Sequence, residues 1–204
     1  VAVALGLRYL DTGAMYRALT WWLLDQGVDL TDEARVAELA RDLPLSMGTD
    51  PRQPTVRVGD TDVAAAIRET RISAAVSTVA INLGVRAELV ARQRAVAEAG
   101  GVVIEGRDIT TVVAPDAPVR VLLIASESAR LRRRAQDVHG AVDAETVAAI
   151  RDQVLRRDAD DATVASFREA SDGVDVIDSS ELSPDQTVAA VLDLVEKRVG
   201  VTPE

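Results

Sequence analysis

Three short runs constrain this chain most: VVIE (Val102–Glu105), VRVLLIA (Val119–Ala125) and VDVID (Val174–Asp178). They are rich in β-branched residues and lack clean polar alternation. A strand with one wet face alternates; one covered on both faces does not, which is the habit of parallel sheets. Helical patterns fill the intervals, at about Ala87–Ala99, Glu127–Gln136, Ala144–Arg157 and Pro184–Val199. The last opens with Ser183-Pro184-Asp185-Gln186, a capping box with proline at the first helical position. Strands joined through helices give an α/β class with right-handed crossovers.

One region departs from this pattern. Between Pro44 and Val63 short runs (LPLSMG, TVRVG, TDV) are punctuated by Pro51, Pro54, Gly59 and Asp60. They predict a small antiparallel insert.

The charge balance excludes some functions. The 204 residues carry a net charge of −10, and polynucleotide phosphates are held by an excess of cations. Aromatics make up 2%, too few for a base-stacking platform. With no cysteine there is no disulfide framework, and no apolar run reaches the roughly 20 residues of a membrane span. The expectation is a cytoplasmic protein that binds neither membrane nor nucleic-acid polymer. All but one of the 23 basic residues are arginine, the exception being Lys197. Arginine forks suit compact phosphates and carboxylates.

Several stretches place polar chemistry at element ends. In YLDTGAMYRAL (Tyr9–Leu19), Asp11-Thr12 precedes the apolar stripe Met15, Leu19, Trp22 and Leu23. Those two residues read either as a helix cap or as part of an anion site. Gly13 and Arg17 share one helical face, Thr12 and Tyr16 the next. In VVIEGRDITTVVAPDAP a buried strand ends at Glu105-Gly106 and delivers Arg107 and Asp108 to the sheet edge where α/β proteins bind ligands. A local Arg107–Asp108 salt bridge is the plain alternative. Arg130 and Arg134 share a helix face, as do Arg157 and Asp161. The single histidine, His139, makes no metal cluster by itself. Ser77 and Arg86 lie on helical segments and by themselves read as ordinary helix residues.

Taken in order and spacing, LDTGAMYR, GRDITTVVAPDAP and RRDADD resemble the bacterial cytidylate kinases over essentially the whole chain. The resemblance implies a P-loop kinase core, a parallel sheet with helices on both faces. It implies a single domain over 1–204 with an antiparallel acceptor-binding part at 43–68 and a lid at about 130–160. It implies Mg²⁺-dependent transfer of the ATP γ-phosphoryl group to CMP, with dCMP a close substrate, by a monomer.

Its substrate residues carry over onto Thr12 and Arg17 at the CMP phosphate, and onto Ser77 and Asp108 at the polar edge of cytosine. Arg107 matches a phosphate contact and Arg86 a base or phosphate contact. Arg157 and Asp161 match the pair that holds the phosphate and ribose, and Arg130 and Arg134 the lid-edge arginines over ATP. No general base and no protein metal ligand is implied.

The family opens with a strand and a Gly-rich phosphate loop that this sequence does not contain. The expectation is that the native product has one, and that a chain without it binds CMP weakly and transfers nothing. Thr110, Ala114, Ala162 and Val164 also depart from the family pattern; Arg151, Arg156 and Arg168 are candidates to replace the arginine absent at Val164. A catalytically silent CMP-binding protein and another P-loop small-molecule kinase remain as alternative readings.

Overall fold

The computed structural model describes residues 1–140, 143, 145–148, 151 and 169–200. They fall into two compact units, Val1–Pro115 and Asp116–Pro203.

In the first unit β1 (Arg8–Asp11) pairs in parallel with β5 (Val102–Glu105), Arg8 opposite Val102 and Asp11 opposite Glu105. β1 runs without a loop into α1 (Thr12–Asp25), because the Asp11 side chain accepts from the Ala14 amide and caps the helix. Of the stripe expected on α1, Met15, Leu19 and Leu23 are buried and Trp22 only partly so, with Ala18 buried among them. α2 (Glu33–Asp42), α3 (Thr70–Ala80) and α4 (Leu83–Glu98) add Val36, Val79, Val85 and Leu89 to the same core. Complete burial of each Val or Leu contributes about 1.5–3 kcal/mol.

The antiparallel insert is present as β2 (Leu45–Met47), β3 (Val56–Val58) and β4 (Thr61–Asp62). Val56 and Val58 point into the core while Arg57 between them faces water. A 3-10 turn, Ala66–Arg68, follows and leads into α3.

The start of α4 differs from expectation. The helix expected from about Ala87 begins at Leu83. The buried Asn82 explains this: its Oδ1 accepts from the Gly84 and Val85 amides while its Nδ2 donates to Glu33 O. Glycine at 84 permits close packing on α2, since a Cβ there would lie 2.5 Å from the Ala37 Cβ.

In the second unit β6 (Val121–Ile124) pairs in parallel with β7 (Asp175–Asp178), Val121 opposite Asp175. α5 (Glu127–His139) is capped by Ser126, and its Leu131 and Ala135 form the buried seam. The capping box appears as expected at α6 (Pro184–Val199), where Ser183 and Gln186 satisfy each other's backbone amides. The helix expected at Ala144–Arg157 lies mostly outside the described residues.

Candidate functional site

The C-terminal ends of β1 and β5 stand side by side, and the polar residues singled out in sequence gather there. Asp11 and Glu105 are register partners, so whatever follows each strand emerges at one edge. The two chains are stitched by Thr12, whose Oγ1 donates to Glu105 O at 2.8 Å. Thr12 is buried, and its hydroxyl gives its proton to that carbonyl. Gly106 makes the contact possible: a Cβ there would fall 2.2 Å from Thr12 Oγ1 and 2.8 Å from Ile109 Cδ1.

Tyr9 adds a second stitch. Its hydroxyl donates to Glu105 Oε1 at 2.6 Å. Burial first, and then the hydrogen bond to Glu105 and its charge, hold the phenol above its ordinary pKa.

Around the start of α1, Asp11 accepts two hydrogen bonds and makes a looser ion pair with Arg17. Ala14 N reaches Oδ1 at 2.8 Å; Arg68 Nη2 reaches Oδ2 at 2.9 Å and Arg17 Nη2 the same oxygen at 3.7 Å. Arg17 folds back over Gly13, where a Cβ would stand 3.4 Å from its Nη2, so the shared face expected from sequence is real.

Beyond β5, Asp108 is only 6% exposed and forms a close ion pair with Arg86 of α4. The local Arg107–Asp108 bridge considered from sequence is therefore not how Asp108 is satisfied. A carboxylate offers about four lone-pair sites, so this pair does not exhaust it. The following residues form a π-helical turn, Ile109–Val113, in which the Asp108 carbonyl accepts from Val112 N at 2.8 Å. Arg94, two turns along α4 from Arg86, donates to Val112 O at 2.6 Å and holds that turn. π-turns are rare and recur at functional positions.

The remaining expected residues are less concentrated. Arg107 is half-buried directly after the strand, and Ser77 is half-buried on α3. Arg130 and Arg134 both lie half-buried on α5 in the second unit. Arg157 and Asp161 lie outside the described residues. Sequence reasoning missed Arg68 and the Tyr9–Glu105 contact. The signal for the second was the register of two parallel strands; for Arg68 there was none but its place at the end of the insert. Among the described residues no three His, Cys, Asp or Glu side chains converge on a point that would hold a metal ion, and no single helix is long and apolar enough to cross a membrane.

Parallel strand pairs joined through helices, with an antiparallel insert, accord with the fold of a P-loop kinase. The cytidylate kinase family model matches residues 1–197. A cytidylate kinase of Streptomyces avermitilis is 42% identical over 202 residues, 97% of this chain and 85% of that protein. One of Cutibacterium acnes is 45% identical, covering 96% and 87%, and one of Rhodococcus opacus 45%, covering 98% and 89%. The chain belongs to the cytidylate kinase family.

Proposed function

We propose that this protein transfers the γ-phosphoryl group of ATP to CMP, and to dCMP, releasing the diphosphate and ADP. The observation that carries the reading is the buried Arg86–Asp108 pair at the end of β5, within one strand pairing of the Asp11, Thr12 and Arg17 group. Asp108 presents an acceptor suited to the 4-amino donor of cytosine, while Arg86 holds it oriented. Ser77 completes the base-reading edge. Arg17 and Arg107 meet the CMP phosphate, Thr12 joins them by turning its hydroxyl proton from Glu105 O to a phosphate oxygen, and Arg157 with Asp161 hold the phosphate and ribose. Phosphoryl transfer needs alignment and neutralisation of spreading charge more than it needs a base, which suits an arginine-rich chain.

Arg130 and Arg134 serve the ATP side from α5, and the segment at about 130–160 acts as a lid that excludes water. The two units are parts of one kinase domain; the family match across both supports this. Mg²⁺ would come with the nucleotide rather than on a carboxylate cluster of the protein, and it would supply neutralisation of phosphate charge. The acidic chain acts as a cytoplasmic monomer and needs no polymer partner.

The test is a titration of CMP against UMP, run beside a coupled assay for CMP-dependent ADP release. Loss of one hydrogen bond to a charged group should favour CMP by about tenfold or more. Equal affinity for the two would remove Asp108 from base reading.

A further inference from the structure

Two arginines reach one oxygen of Asp11, and they do so from different surroundings. Arg17 comes from α1 and its side chain is 12% exposed; Arg68 comes from the turn after the insert and is 60% exposed. Their Nη2 atoms stand 3.7 and 2.9 Å from the same Oδ2. Two donors on a single oxygen are no further apart than a phosphate group can bridge. Arg68 is solvated enough that its bond to Asp11 contributes little to stability. Asp11 is already engaged at Oδ1 by the cap, so it offers Arg68 one contact where an arginine fork can make two. A phosphate offers more charge and more oxygens than that.

We propose that Arg68 is a second phosphate-binding arginine of the acceptor site, held beside Arg17 by Asp11 until the substrate phosphate takes both. Asp11 is then a stand-in anion as well as a helix cap. The insert, which the Ala66–Arg68 turn follows, becomes mechanically tied to the substrate's phosphate. The proposal rests on the CMP reading for the identity of that phosphate but not for its chemistry.

The experiment is calorimetric titration of the full chain and of its Arg68→Ala and Arg68→Lys variants with CMP, with cytidine and with inorganic phosphate. Thermal melting of each variant checks that it is folded. The expected result for Arg68→Ala is a loss of about tenfold in CMP affinity with cytidine affinity unchanged, and a partial recovery in Arg68→Lys. CMP affinity within about twofold of the parent overturns the proposal. A parallel fall for CMP and cytidine also overturns it, since that marks a merely structural role. If the parent shows no preference for CMP, the CMP reading fails separately. The phosphate titration then decides: weaker phosphate binding in Arg68→Ala keeps the clamp, and unchanged or absent phosphate binding removes it.

Discussion

Each unit contains an Arg–Asp pair that ties a helix to a parallel strand pair, and the two pairs have opposite energetics. Arg86–Asp108 lies just past β5 with side chains 14% and 8% exposed. Arg198–Asp175 joins the end of α6 to the start of β7 with side chains 48% and 28% exposed. The first is sealed by the core beneath α4; the second is wetted on both sides. A buried pair is costly to assemble and costlier to break, because removing one partner strands the other charge away from water. An exposed pair trades one solvated state for another. The same two residue types thus make a buried tie in one unit and a surface contact in the other.

The largest expected effect breaks that contrast at its buried end. Asp108→Ala should destabilise the protein by about 3–5 kcal/mol, a fall in Tm of about 10 °C for a chain this size. Differential scanning calorimetry measures it, and a loss below about 1 kcal/mol would mean the pair is solvated after all. Next comes the stitch beside it. Gly106→Ala should cost about 1–3 kcal/mol by forcing Thr12 off the Glu105 carbonyl. Adding Thr12→Ala should return part of that cost, a coupling of about 0.5 kcal/mol or more in a urea-melt double-mutant cycle. Strict additivity would show that the clash is relieved elsewhere.

In the second unit Ser183→Ala should cost about 1 kcal/mol through the capping box of α6, read as a lower urea midpoint. The smallest effect sharpens the exposed end. The hydrogen bond from Arg198 lowers the Asp175 pKa, so the carboxylate contributes stability above the ordinary carboxylate range and loses it as pH falls through the lowered value. The Tm difference between the parent and Asp175→Asn should therefore be slight at neutral pH and should close on acidification. A gap that widens in acid would contradict this.

The same contrast between local and distant explains what the sequence discloses. Val102–Glu105 was legible to the residue because glycines flank an unbroken β-branched run, and the start of α6 because its capping box is written in four adjacent residues. The role of Asp11 as a cap was legible for the same reason. The start of α4 was not, since Gly84 answers to Ala37 on another helix rather than to its own neighbours. Arg86 and Asp108 were each singled out, but 22 residues separate them and nothing periodic says they pair. Arg68 lies 57 residues from Asp11 and carries no motif. Local chemistry is written along the chain; partnerships across the core are written only in the fold.

The bond from Thr12 to the Glu105 carbonyl closes a span of 93 residues. During synthesis, then, the first strand and its helix wait for most of the first unit before the edge they help to build exists. Until Asp108 has left the ribosome, Arg86 lacks the partner it has in the folded unit. A ligand that binds only the finished edge adds its own stabilisation at that moment, about 2.7 kcal/mol at a hundredfold excess over Kd. The abundance of the substrate thereby enters the yield of folded protein as well as its rate of turnover.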